Sequence, residues 1–291
     1  MINGMIIKGI GGFYYIKTDD TIYECKARGK FRKDKITPLV GDKVMISIDS
    51  THGTGVIEEV LPRDIELIRP PVANVNQAII VFAANKPEPN LSLLDRFLVT
   101  VEKEGLPIII CINKKDIDSQ NHVNFIKSIY TKAGYDMMST STKTGEGIDL
   151  LKIKLEKKIT VFAGPSGVGK SSLLNAIQAN LALKTGEISH KNNRGKHTTR
   201  HVELMELEFS GWVVDTPGFS SLEIDKMDEE DLQYCFKEFV PLLGGCKFQG
   251  CIHLSEPDCA IKNGIIDGTI HQTRYESYVQ LMDEIHKNRR Y

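Results

Sequence analysis

Several things that would mark the chain for a membrane, for export or for indiscriminate polyanion binding are missing. No apolar run approaches the roughly 20 residues of a membrane-spanning helix, and residues 1–12 show no basic stretch followed by a long apolar core, so no export leader is read there. Thirty-seven Lys and Arg stand against 38 Asp and Glu, a formal net charge of -1. That balance excludes a global charge excess as the means of binding nucleic acid or lipid; such a partner must be met by a local patch. There is one tryptophan, no internal repeat and no low-complexity tract. Cysteine is sparse, six in 291 residues, and in a reducing compartment a tight Cys/His cluster reads as a metal site rather than as disulfides. Hydrophobic residues at 41% and charged residues at 26% are ordinary for a globular chain long enough for two or three domains. A cytoplasmic protein without a membrane partner is expected.

What is present changes character twice along the chain. Residues 1–70 hold five short β-rich runs, Met5–Ile10, Phe13–Lys17, Thr21–Lys26, Lys43–Ile48 and Gly55–Val60, punctuated by Gly and Asp pairs. They predict a small barrel of the OB or SH3-like kind. Between the third and fourth runs lies the densest basic segment, Lys26, Arg28, Lys30, Arg32, Lys33 and Lys35, either a solvated loop or a contact for a phosphate backbone. Arg69-Pro70-Pro71 reads as a linker. From there to about residue 221 strands alternate with helices: an apolar strand at Gln77–Ala83, a helix capped by Ser92 and running to Glu104, strands ending at Asn113 and Asp215, and helices near 121–132, 148–158 and 170–180. The pattern predicts a mostly parallel sheet covered by helices. Residues 222–291 turn helical, carry a Cys/His knot and end in a helix near 272–286 and a basic tail. The expected organisation is a multi-domain α/β chain: a barrel at 1–70, an α/β domain at 71–221 and a metal-binding domain at 222–291.

Four segments at strand ends carry the chemistry. Gly164-Pro165-Ser166-Gly167-Val168-Gly169-Lys170-Ser171, followed by Ser172, is G-x-x-x-x-G-K-S between an apolar strand and a helix. Its glycines let backbone N–H groups wrap phosphate oxygens, Lys170 adds a cation for the β and γ phosphates, and Ser171 offers a hydroxyl to Mg²⁺. Asn113-Lys114-Lys115-Asp116 is N-K-x-D; an aspartate there accepts from guanine N1–H and N2–H₂, which adenine does not offer. Ser141-Thr142-Lys143 resembles the loop that supports guanine O6. Asp215-Thr216-Pro217-Gly218 is D-x-x-G, where a GTPase meets Mg²⁺ through water and senses the γ-phosphate. The guanine-reading loop precedes the phosphate loop, the reverse of the ordinary order, so the domain reads as circularly permuted: the helix at 148–158 joins directly to the phosphate-loop strand, and the chain is cut after Gly218. Gly195-Lys196-His197-Thr198-Thr199 falls where a first switch belongs. Thr199, in preference to Thr198, would complete the Mg²⁺ shell. Phe219 stands where Ras-like enzymes carry a water-orienting glutamine, and His197 is the nearest residue able to take that role. A metabolic kinase also uses G-x-x-x-x-G-K-S, but N-K-x-D disfavours it; intact Lys170, Ser171 and Asp215 disfavour a non-enzymatic RNA-binding module.

Cys246-x₄-Cys251-x-His253-x₅-Cys259 puts three thiols and an imidazole within fourteen residues. Four protein ligands and no open position predict one structural Zn²⁺. Cys25, Cys111 and Cys235 stand alone and read as buried residues.

The order of these motifs, flanked by a β-barrel and a Cys-Cys-His-Cys domain, resembles the ribosome small subunit-dependent GTPase A family over essentially the whole chain. The resemblance implies an N-terminal OB-fold, a circularly permuted P-loop GTPase domain and a C-terminal zinc-binding helical domain. It also implies GTP hydrolysis late in maturation of the small (30S) ribosomal subunit, stimulated by that subunit and in contact with its 16S rRNA, with His197 as catalytic histidine. GTP and GDP, one Zn²⁺, Mg²⁺ with the nucleotide, and a monomeric state complete the expectation.

Overall fold

Alternating apolar and polar residues along β1 (Ile2–Ile10), β2 (Phe13–Lys17), β3 (Ile22–Ala27), β4 (Lys43–Asp49) and β5 (Thr54–Val60) give each strand one face to bury. In the computed structural model, which describes residues 1–33, 35–49, 54–68, 70–179, 181, 202–215 and 227–288, β1 pairs antiparallel with both β2 and β4, β2 with β3, and β4 with β5, while β3 runs parallel to β5. The ring β1-β2-β3-β5-β4 therefore closes on itself as a five-stranded barrel of OB type without a free edge. Ile6, Ile16, Val44, Ile46 and Ile57 fill it. The basic segment expected as a loop contains a one-turn helix, α1 (Lys30–Lys33). Part of its charge is used internally: Lys26 Nζ lies 4.8 Å from the centre of the Phe13 ring, and Arg28 Nη1 lies 3.0 Å from Glu58 Oε2.

The expected linker at 69–71 is flanked by two short paired strands. β6 (Glu66–Leu67) and β7 (Val72–Ala73) form a two-stranded antiparallel ribbon. Arg63 forks onto the buried Asp42 at 2.7 and 2.8 Å, and Asn74 Nδ2 donates to Gly41 O at 3.0 Å. Strands of two residues carry no periodicity, so the sequence had no signal for them.

The chain divides into two compact units. Met1–Gln77, Asp149–Phe162 and Leu174–Ser220 make the first; Ala78–Ile148, Ala163–Leu173 and Ser221–Tyr291 make the second. In the second, β8 (Gln77–Ala83), β9 (Ile108–Asn113) and β10 (Asp136–Ser139) pair in parallel, and β8 and β9 are buried along their whole length, as strands covered on both faces should be. The helix α2 (Leu91–Lys103) is capped by Asn90, whose side chain accepts from Leu93 N–H at 2.9 Å, rather than by Ser92. Ser92 falls inside the first turn and donates to Gln280 Oε1 at 2.7 Å. The Asp118 carboxylate caps α3 (His122–Lys132) by accepting from the N–H groups of His122 and Val123.

α4 (Ile148–Leu155) leads into β11 (Ile159–Ala163), and α5 (Lys170–Ile177) follows, shorter than the expected 170–180. In the first unit β12 (Glu203–Glu206) pairs antiparallel with β13 (Trp212–Asp215), which is parallel to β11. β12 ends at Glu206 because a turn closes with Leu207 N–H donating to Gly211 O at 2.9 Å. It also pairs with the barrel, Lys8 opposite Glu203, and the two side chains meet at 2.7 Å.

The C-terminal part holds α6 (Glu229–Leu232), α7 (Ala260–Ile266) and α8 (Gln272–Asn288). Phe236, Phe239, Tyr278, Leu281 and Met282 build its core, and Val99 of α2 joins them. Arg274 of α8 is fully buried beside it. Its guanidinium grips Glu238 through Nε and Nη2 at 2.6 and 3.1 Å and reaches Asp95 of α2 through Nη1 at 2.6 Å. The Phe236 ring lies 4.6 Å away and Tyr130 and Tyr135 flank it. No helix among the described residues is long and apolar enough to cross a membrane.

Candidate nucleotide site and metal centre

The phosphate loop runs from the end of β11 to the start of α5, and its backbone is possible only with glycine at two positions. Gly164 has φ +138°, and a Cβ there would stand 2.1 Å from Val81 O. Gly169 has φ +96°, and a Cβ there would stand 2.4 Å from Asn113 Nδ2. Val168 is buried and anchors the loop, while Ser166 and Gly167 are exposed and Pro165 is half-buried. Lys170 folds back over the loop and donates from Nζ to Gly164 O at 2.6 Å and Pro165 O at 2.7 Å. Its burial pushes the ammonium pKa down, so a charged lysine is held there against a desolvation cost that an anion would offset. Ser171 and Ser172 are exposed in the first turn of α5, where free N–H groups and the helix dipole favour phosphate.

Asn113 ends β9 and reaches the phosphate loop directly: its Nδ2 donates to Val168 O at 3.0 Å. Thr140 holds its other end, Oγ1 donating to Asn113 Oδ1 at 3.1 Å. Lys114 adopts φ +61°. It stretches over the same loop, donating to Gly167 O at 2.6 Å and to Lys86 O. Asp116 is exposed, with one carboxylate oxygen accepting from Ser141 Oγ at 2.7 Å. Ser141 in turn takes Thr144 N–H at 3.2 Å, and a salt bridge joins Lys115 to Glu146. Thr142 is half-buried and Lys143 exposed on the same turn. The structure thus brings 113–116, 141–143 and 164–172 together. Asp215 ends β13 in the other unit. Gly218, His197, Thr198 and Thr199 lie outside the described residues. Thr140, Lys86 and Glu146 were not singled out from sequence. Thr140 was findable as the residue immediately before Ser141-Thr142-Lys143; the other two are neighbours only in space.

The cysteines and histidine at 246, 251, 253 and 259 present ligand atoms all within 4.8 Å of one another. Cys246 Sγ and Cys259 Sγ are 3.8 Å apart, and His253 Nδ1 lies 3.3 to 3.6 Å from the three sulfurs. A tetrahedron with Zn–S bonds of about 2.3 Å has edges of about 3.8 Å, so the donor set fits one Zn²⁺. His253 Nε2 faces Gln233 Oε1 at 3.0 Å. That partner takes the ring proton and leaves the Nδ1 lone pair facing the thiols, an outer-shell arrangement typical of zinc ligands. Burial, then the neighbouring Cys246 and Cys259 thiols, push the Cys251 thiol up to about 12, and burial pushes the His253 pKa down. Thiolates in such a place need a cation. Glu256 accepts from Ile252 and Leu254 N–H, and Tyr275 and Tyr278 donate to His253 O and Ile252 O, fixing the turn.

Family comparisons agree with this geometry. Residues 60–225 match the RsgA GTPase model and residues 3–57 the RsgA N-terminal domain model. The small ribosomal subunit biogenesis GTPase RsgA of Alkaliphilus metalliredigens is 51% identical over 292 residues, all of both chains. Its counterpart in Caldanaerobacter subterraneus is 51% identical over 98% of this chain and 96% of its own. Among solved structures, YjeQ from Thermotoga maritima superposes with a TM-score of 0.85 at 39% identity, covering 98% of each chain. YloQ, described as a circularly permuted GTPase, gives 0.82 at 41% identity over 99% of this chain and 96% of that one. With one family model matching more than half of its length and relatives about half identical along essentially all of it, the chain belongs to the RsgA GTPase family.

Proposed function

We propose that this GTP hydrolase acts as a switch in late maturation of the small (30S) ribosomal subunit, contacting its 16S rRNA and stimulated by it. The reading takes the domains as 1–70, 71–221 and 222–291, and the protein as a cytoplasmic monomer. What supports the nucleotide part most is the bond from Asn113 to Val168 together with that from Lys114 to Gly167. They lock the base-reading loop onto the phosphate loop, so that one rigid ligand can touch both. In this reading Asp116 accepts from guanine N1–H and N2–H₂ while Ser141 holds its carboxylate in place, and Lys114 lies along the base plane. Ser141-Thr142-Lys143 offers a backbone N–H to O6. The N–H groups of 164–172 and the Lys170 ammonium take the phosphates, Lys170 exchanging its two carbonyl partners for phosphate oxygens. Mg²⁺ would sit on Ser171 and Thr199, with Asp215 reaching it through water, and would neutralise charge on the β and γ phosphates. Gly218 senses the γ-phosphate, and His197 orients the attacking water in the place of the missing glutamine. The Zn²⁺ on Cys246, Cys251, His253 and Cys259 is structural.

Asp116→Asn is the direct test of the base assignment. It replaces an acceptor pair by an amide that must aim an N–H at a guanine donor, leaving buried donors unpaired at a cost of about 1–3 kcal/mol. The GTP-over-ATP preference, measured by competition binding, should fall roughly tenfold to a hundredfold. An unchanged ratio would remove Asp116 from the site. The ribosomal part is tested by turnover with and without small subunits.

A further inference from the structure

We propose that a cleft between the barrel and β12–β13 takes one unstacked nucleotide of a single-stranded RNA, the base against Trp212 and a phosphate on Lys43. The cleft has a volume of about 690 Å³ and lies wholly within the first unit. Its wall carries the chain's one tryptophan, half-buried at the start of β13. Leu61 extends the apolar surface, and Asn3, Asp19 and Lys43 stand at the exposed rim. Among the described residues those three rim side chains have no hydrogen-bond or ion-pair partner.

The chemistry selects the ligand. Lys17 and Glu206, also in the wall, neutralise each other at 3.1 Å, so Lys43 is the cation left for an anion. One aromatic plane, apolar flanks, an amide and a carboxylate suited to a base edge, and one ammonium match a single nucleotide. A duplex offers no base face to Trp212, and an acidic peptide would leave the aromatic plane unused. The inference rests on the RNA-contacting reading above and names a site for it away from the basic segment at 26–35.

Because Trp212 is the only tryptophan, its fluorescence reports the cleft without a label. The full chain, saturated with GDP to hold the nucleotide site constant, is titrated with a short single-stranded oligoribonucleotide, with an RNA duplex and with an acidic peptide. Saturable quenching by the single strand alone is expected. In anisotropy measurements with a labelled strand, Lys43→Glu and Trp212→Ala should weaken binding about tenfold or more, and Trp212→Phe, which keeps a stacking plane, less. Lys43 is exposed, so its variant is expected to fold even where Trp212→Ala does not. Anisotropy showing RNA bound equally by all variants, with Trp212 emission unmoved, would overturn the cleft and leave the RNA-binding reading standing. Quenching by the duplex or the peptide would overturn it too. No RNA binding by any measure would remove both.

Discussion

Chelating the metal at neutral pH is expected to unfold residues 244–260 and to loosen the C-terminal core around them. The ligands sit on turns rather than in regular elements: His253 has φ +63° and the preceding turn at Gly250 φ +72°. Beyond the proposed zinc, that backbone is held by a small set of bonds: those of Glu256, Tyr275 and Tyr278, Lys247 N–H to Asp258 O at 3.2 Å and Lys262 Nζ to Glu256 O at 3.1 Å. Binding energy of a structural zinc is folding energy, about 10–16 kcal/mol in zinc-finger peptides. Here the aromatic core of Phe236, Phe239 and Tyr278 should retain part of the fold, so the loss is local first. Elemental analysis should give one zinc per chain. Hydrogen exchange should show protection vanishing across 244–260 on chelation, and Cys251→Ser should reproduce it. Gln233→Ala, which frees the His253 ring, should weaken zinc affinity about 10- to 100-fold. A metal-free chain with the same protection and melting temperature would contradict the assignment.

Arg274→Met should destabilise the second unit by about 3–5 kcal/mol, since it leaves the buried carboxylates of Asp95 and Glu238 without their cation. The loss should depend on pH in a defined direction. Burial raises the Asp95 pKa, against which the Arg274 charge pulls it down. Without Arg274 the folded pKa rises further above its unfolded value. A carboxylate of that kind favours the folded state below its unfolded pKa and loses that contribution as pH rises through the folded pKa. The deficit of the variant relative to the parent should therefore be full above the raised Asp95 pKa and shrink as pH falls through it. Denaturant unfolding of both proteins across that range measures it; a pH-independent deficit would mean that lost packing, not an unpaired charge, is responsible. Arg274→Lys should not restore stability fully, because an ammonium lacks the fork that holds Glu238 twice and Asp95 once.

Arg274 also marks the limit of what the sequence made legible. The phosphate loop, the base-reading loop and the zinc ligands are contiguous, and their chemistry is written in local spacing: a glycine pattern, N-K-x-D, three cysteines and a histidine. The barrel strands were legible because one face of each had to be apolar. Arg274, by contrast, reads as a surface residue of an amphipathic helix, and its burial is set by Asp95, 179 positions away. Gln233 and Lys86 were missed for the same reason, since they act through ring and carbonyl atoms that only the fold brings near. The helix start at Asn90 rather than Ser92 was a local choice between two capping residues, decided by which side chain reached a free N–H. The ribbon at 66–73 was too short for any period to show.

The central claim, a GTP switch triggered by the small ribosomal subunit, is tested most directly by GTP hydrolysis with ATP as control, in the presence and absence of purified small subunits. Slow turnover alone and strong stimulation by the subunit, for GTP only, are expected, because Phe219 replaces the residue that would orient water unaided. GTP turnover indifferent to the subunit, or a preference for ATP, would contradict the account.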